Sequence, residues 1–229
     1  MKKEDWKASE EMQEKAGEMA KVWNARCAGR RLPSNNSTVS HINFLKITYC
    51  YALGESQYNS LNECHLYEPF MAGSYQKFNS NAGFESPNYA TASAFSHWSW
   101  VDSGHRFLVC DLQGVYENSA YRMTDPVVHS FDKRYDQSSL DFGTYGMELV
   151  KSGHKCNDVC RWLGLKAWEG PSRGRSSTDT LHRNSLTSTQ LGELRRGSGY
   201  FQITEPVIPE EDEDEENVDL LSECLQRFL

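Results

Sequence analysis

Apolar positions recur at helical spacing near the start of the chain: Met12, Ala16, Met19, Ala20 and Trp23 stand among Glu and Lys between residues 7 and 24. This spacing predicts one amphipathic helix with a single buried stripe, ending before the polar stretch at residues 30–36. The pattern then changes. Residues 44–51 (FLKITYCY) and 64–70 are rich in β-branched and aromatic side chains, and the loop between them, 54–62, carries turn formers. A β-hairpin is expected, its second strand ending at Glu68-Pro69. Residues 73–87 (GSYQKFNSNAGFESP) cluster Asn, Ser and Gly and predict an ordered loop with little regular structure. A second helix is expected over 90–100. Residues 106–112 (RFLVCDL) read as a buried strand whose acidic end, followed by Gln113-Gly114, opens onto a site. A third helix is predicted from about Tyr145 through His154 to Leu163.

Beyond Leu165 the pattern is lost. Ser, Thr, Arg and Gly dominate as far as Gly199, and an acidic run at 210–216 (EEDEDEE) precedes a short closing helix at 218–228. Residues 4–165 are therefore expected to form one folded domain and 166–229 a largely disordered tail. In that tail, Ser198 after Arg195-Arg196-Gly197 and Ser185 after Arg183 have the form of basic-directed phosphorylation sites or of an unmodified linker. The acidic run supplies seven negative charges of a net −8, so the rest of the chain stands close to neutral. A neutral body beside an acidic tail argues against nucleic acid as a partner, because such binding rests on clustered Lys and Arg. There is no apolar stretch like a signal peptide and no apolar run near the roughly 20 residues that span a bilayer. No membrane segment is predicted, and the expected location is cytoplasmic. The seven cysteines are odd in number and sparse, which fits a reducing compartment.

One local cluster carries metal chemistry. In the stretch from His154 to Cys160 (HKCNDVC), a continuous helix would set the two cysteines one turn apart, so two thiolates and an imidazole could converge on a tetrahedral zinc. His97, within AFSHWSW, is the best fourth ligand because aromatics would bury it. Ordinary core cysteines with a surface histidine are the other reading, and spacing alone leaves both open. A second signal is Asp111 with Gln113, oxygen donors at the end of a buried strand that suit magnesium, followed by Asp125, which could orient a hydroxyl nucleophile. Taken alone, Asp125-Pro126 also matches a helix N-cap with Pro at the first helical position, and Asp111 a turn acid.

The segments YEPFMAGSYQKFNSNAGF (67–84), AFSHWSW, LVCDLQGV, TDP, FGTYGM and HKCNDVCRWLGL occur in an order that resembles the alpha-kinase family of atypical serine/threonine protein kinases. The similarity covers roughly residues 10–165. It implies an α+β fold related to the two-lobed protein kinases, and ATP, magnesium and a protein Ser/Thr hydroxyl as reactants. By resemblance, Glu68 lies at the hinge beside the adenine, Lys77 near the phosphates, and Asn81, Asp111 and Gln113 around the magnesium. Asp125 matches the catalytic aspartate. His97, His154, Cys156 and Cys160 match four structural zinc ligands in the carboxy-terminal lobe. The chain departs from the family in three places. The strands carrying an ATP-contacting lysine before the first helix have no counterpart, so the amino-terminal lobe reads as truncated. Of the glycine-rich loop only Gly143 and Gly146 match, and residues 116–123 enlarge a loop between the metal site and Asp125. The alternative is accordingly an inactive pseudokinase or a zinc-stabilised protein-interaction module.

Overall fold

A computed structural model describes residues 3–55, 63–135 and 140–168 of the chain. The expected tail, with its phosphorylation-like motifs and acidic run, lies outside these residues except for its first three.

Helix α1 (Lys3–Arg26) buries the predicted stripe and extends it, with Ala8, Met12, Ala16, Met19, Ala20 and Trp23 all buried. Spacings of three and four residues put these side chains on one face, which packs on strands β1 (His41–Phe44) and β8 (Val127–Ser130). Trp23 is fully buried, edge-on to Phe95 and Trp98 at 5.6 and 5.4 Å, and its Nε1 donates to the Ser40 carbonyl at 3.1 Å. The helix also treats β1 as a strand partner would. The Asn24 amide donates to the Ile42 carbonyl at 2.7 Å and accepts from the Ile42 N–H at 2.9 Å.

The remaining strands are β2 (Thr48–Tyr51), β3 (Cys64–Tyr67), β4 (Tyr75–Lys77), β5 (Phe107–Cys110), β6 (Gln113–Glu117) and β7 (Ala120–Thr124). They form a four-stranded sheet in the order β1-β7-β6-β4 and two pairs, β2-β3 and β5-β8. β1 runs parallel to β7, and the other pairings are antiparallel. Helix α2 (Ala90–Asp102) is buried on every side from Thr91 to Ser99 and forms the centre of the molecule, contacting β5 and the short helix α4 (Asp158–Trp162). Its buried serines bind neighbouring backbone: Ser99 Oγ donates to the Ser96 carbonyl and accepts from the Val109 N–H. Helix α3 (Gly143–Gly153) packs against β8.

Three local expectations need correction. The enlarged loop at 116–123 is the β6-β7 hairpin. It turns at Asn118 and Ser119, both at positive φ (50° and 59°), the two-residue turn whose twist matches flanking strands. Gly114, at φ +142°, lies so close to β7 that a Cβ would stand 2.0 Å from the Arg122 carbonyl oxygen. The residue after Asp125-Pro126 begins β8 and no helix, so Asp125 is a left-handed turn residue (φ 44°) and Pro126 stands just before a strand. The predicted third helix is two helices separated by an extended segment at 154–157, so Cys156 and Cys160 do not share a helix. The break is capped locally: the Asn157 side chain accepts from the N–H groups of Val159 and Cys160, and Asp158 occupies the first turn of α4.

Candidate active site and metal cluster

Strand register builds the first site. Lys77 of β4 lies opposite Gln113 of β6, and Gln113 lies opposite Thr124 of β7, so three polar residues form a row across the sheet. Asp111 and Asp125 terminate β5 and β7 in left-handed turns, Asp111 at φ 57°. Asp111 is 4% exposed, and its Oδ1 takes the Lys77 Nζ at 2.9 Å and the Asn81 N–H at 3.3 Å. Gln113 Nε2 donates to the Asp125 carbonyl at 3.4 Å. Glu68, just past β3, accepts from Thr124 Oγ1 and from Gln13 Nε2. Gln13, on α1, also donates to the Leu45 carbonyl at 2.7 Å and accepts from the Asp125 N–H at 3.2 Å. Glu68, Lys77, Asn81, Asp111, Gln113 and Asp125 are therefore neighbours, gathered from five segments of the chain.

The electrostatics of the two aspartates differ. Burial raises the Asp111 carboxyl, opposed by the Lys77 ammonium. Asp125 is solvent-exposed yet lies beside the carboxylates of Glu68 and Asp111. Desolvation, then the carboxylates of Glu68 and Asp111, push it up to about 6. A carboxyl near that value can take or release a proton around neutral pH.

Two residues of this site carried no sequence signal. Gln13 is 4% exposed in the apolar stripe of α1, where a lone glutamine in a helical pattern says nothing about its partners. Asn79 is 1% exposed and fastens the site from below: its amide donates to Ser96 Oγ at 2.8 Å and accepts from the Leu112 N–H at 2.9 Å. Gly143 and Gly146 lie in the first turn of α3. There Gly146 packs against the His129 ring, which a Cβ would approach to 2.5 Å.

The second site is the cluster His97, His154, Cys156 and Cys160, whose ligand atoms all lie within 4.8 Å of one another. α2 supplies His97, the extended segment supplies His154 and Cys156, and α4 supplies Cys160. Cys156 Sγ is 3.6 Å from His97 Nδ1, and Cys160 Sγ is 3.5 Å from His154 Nε2. Zinc bonds of about 2.0–2.3 Å at tetrahedral angles would separate S and N by about 3.5 Å, so this donor set fits zinc. The protonation state of His97 fits as well. Burial, with His154 beside it, lowers His97 to about 4, leaving a neutral imidazole, and its Nε2 is buried without a well-aligned partner. Burial pushes the Cys160 thiol up to about 12, a value that a bound cation would reverse. Cys156 and Cys160 are not joined by a disulfide. Trp168, which the sequence did not single out, lies against both imidazoles with ring centroids 4.0 and 4.8 Å away.

The fold and the two sites define an alpha-kinase-type domain, and comparison with known proteins agrees. The alpha-kinase family profile matches residues 1–160, and the chain belongs to that family. It is 39% identical over 101 residues to alpha-protein kinase vwkA of Dictyostelium discoideum, covering 43% of this chain and 16% of that protein. It is 42% identical over 107 residues to eukaryotic elongation factor 2 kinase of Caenorhabditis elegans, covering 46% of this chain and 13% of that protein. Among solved structures it resembles the alpha-kinase domain of myosin-II heavy chain kinase A in complex with AMP-PNP. That match has a TM-score of 0.59 and 26% identity over 74% of this chain and 60% of that one. The chain thus spans a small part of these curated relatives and about three fifths of the solved domain. Among the described residues, no helix is long and apolar enough to cross a membrane.

Proposed function

We propose that the chain is the catalytic part of an alpha-type protein kinase, transferring the γ-phosphoryl group of ATP to a serine or threonine hydroxyl of a protein. One observation carries this reading. Lys77, Asp111, Gln113, Asn81 and Asp125 converge on one face of the β4-β6-β7 sheet, with Glu68 beside them. The oxygen donors Asp111, Gln113 and Asn81 suit magnesium, which when bound with ATP would neutralise phosphate charge. Lys77, 23% exposed, is a cation that can pair with Asp111 or with a phosphate oxygen. Glu68, at the exit of β3, marks the adenine end of the site. Asp125 accepts the proton of the attacking hydroxyl, and its raised carboxyl suits that task near neutral pH. Gln13 and Gln113 hold the Asp125 backbone from two sides.

In the same reading His97, His154, Cys156 and Cys160 hold a structural zinc, which ties α2 to α4 so that metal binding becomes folding energy. Such a centre needs reduced cysteines and fits a cytoplasmic setting.

The test is transfer of labelled phosphate from ATP to a basic protein or peptide in magnesium. The wild-type chain should label it, and Asp125→Ala should lose at least about 100-fold. Equal labelling by the variant overturns the catalytic assignment. A zinc-loaded wild-type chain that neither labels substrate nor is stabilised by magnesium-ATP favours the binding-module reading.

A further inference from the structure

The turn at residues 79–85 reaches both sites. At one end the Asn81 N–H binds Asp111. At the other, the Glu85 carboxylate takes His154 Nδ1 at 2.6 Å and the Lys155 N–H at 3.3 Å. We propose that Glu85 is a positioning residue: it fixes His154 at the Cys2His2 cluster and, through this turn, makes the placement of Asn81 depend on that cluster being filled. The proposal rests on the zinc-ligand reading of His97, His154, Cys156 and Cys160, and it adds a residue and a coupling to that reading.

The geometry of His154 is the first support. Its Nε2 faces Cys160 Sγ, so Nδ1 points out of the cluster, straight at Glu85 Oε1. A proton on Nδ1 shared with a carboxylate fixes the tautomer that leaves the Nε2 lone pair for a metal and sets the ring plane. The contact is sheltered: the His154 side chain is fully buried and that of Glu85 is 13% exposed. His97 is built the other way round. It turns Nδ1 toward Cys156, and its other polar neighbour is the Lys166 backbone and not a carboxylate.

The second support is the stiffness of the turn. Asn79 and Glu85 form an antiparallel bridge, and the Ser80 N–H donates to the Phe84 carbonyl at 2.9 Å. Ser80 Oγ accepts from the N–H groups of Ala82 and Phe84 at 3.2 and 3.0 Å. The turn is also pressed on α3, glycine against glycine: a Cβ on Gly153 would stand 1.9 Å from the Gly83 carbonyl oxygen. A unit closed at its neck and seated on α3 moves as one piece. A shift of Glu85 when His154 is released therefore reaches Asn81, four residues away.

The experiment uses the whole chain loaded with zinc, and two variants, Glu85→Ala and Glu85→Gln. Zinc affinity, read by competition with a chromogenic chelator, should be about 10- to 100-fold weaker in Glu85→Ala than in wild type. Glu85→Gln, which keeps an acceptor without the charge, should fall between that variant and wild type. Amide hydrogen exchange over residues 79–85 should rise when wild type is stripped of zinc, and should already be high in zinc-loaded Glu85→Ala. If Glu85→Ala does not fold, Glu85→Gln decides by the same two measurements. A variant that holds zinc as well as wild type, or a 79–85 turn whose exchange ignores zinc removal, overturns the proposal. Wild-type chain that takes up no zinc refutes the cluster reading itself, an outcome separate from failure of Glu85 alone.

Discussion

Replacing Asn79 by Ala should destabilise the protein by about 2–5 kcal/mol. Asn79 makes two buried hydrogen bonds, to Ser96 Oγ at 2.8 Å and from the Leu112 N–H at 2.9 Å. Truncation leaves the Leu112 amide buried without that acceptor, at about 1–3 kcal/mol. The Ser96 hydroxyl loses less, about 0.5–1.5 kcal/mol, because it can turn to a carbonyl of its own helix. The rest of the range is the small cavity left by the side chain. The backbone bonds from Phe78 and Asn79 to the Leu112 carbonyl, at 2.8 and 3.3 Å, remain, so the turn should stay docked and the loss should not exceed this range. At roughly 2–4 °C per kcal/mol for a chain of this size, the midpoint should fall by about 4–20 °C. Urea unfolding followed by tryptophan fluorescence reads the change as a shift in midpoint at constant slope. A loss below about 0.5 kcal/mol at unchanged slope would refute the reasoning, since it would mean the two bonds carry no net stability.

Other outcomes follow from the same structure. Asp125 is held up at about 6, above its ordinary value, so the folded state binds this proton more tightly than the unfolded chain and stability from this group falls as pH rises from about 4 to 6. Asp125→Asn should therefore be more stable than wild type above pH 6 in magnesium-free buffer and gain nothing near pH 4, as thermal melts across that range would read. His129 has the opposite sign. Burial lowers it to about 4, and its Nδ1 accepts from the Phe142 N–H at 3.3 Å, so stability is lost as pH falls from about 6.5 toward 4. His129→Gln should flatten that part of the acid-unfolding profile, and an unchanged slope would contradict the assignment. Gly114→Ala should cost about 2–5 kcal/mol in urea unfolding, because backbone and not a flexible side chain blocks the Cβ. Elemental analysis of the untreated chain should find one zinc per chain, and stripping it with a chelator should lower the melting temperature. No metal in a well-folded chain would count against the Cys2His2 centre.

What could be read from the sequence divides along physical lines. Helix α1 was legible because its buried positions repeat with the helical period over many turns. The β6-β7 hairpin was not, because each strand is five residues long, Arg122 interrupts the apolar pattern, and the turn uses Asn118-Ser119 without a glycine. The break between α3 and α4 did leave a trace, since Asn157-Asp158 is an N-cap followed by an acid in the first turn. The helix-period spacing of Cys156 and Cys160 masked it. The two cysteines converge with the histidines across that break, by a different route from the one the spacing suggested. At Asp125-Pro126 the same two residues fit a helix start or a strand start, and only the pairing of β8 with β5 decides between them. Candidate residues with motif neighbours, such as Asp111, Gln113 and Lys77, could be picked out from the chain, and the structure places them beside one another. Gln13, Asn79 and Glu85 act through contacts distant in sequence, for which one chain holds no pattern.

The pairing of Asn24 with Ile42 has a consequence for assembly. The Asn24 side chain from α1 occupies the N–H and C=O of Ile42 on β1, an edge strand of the sheet, so an extended peptide could not pair at that residue without displacing it. Asn24→Leu would leave that N–H and C=O without this partner. The first symptom to look for would be self-association on mild warming, at temperatures where the wild type stays dispersed.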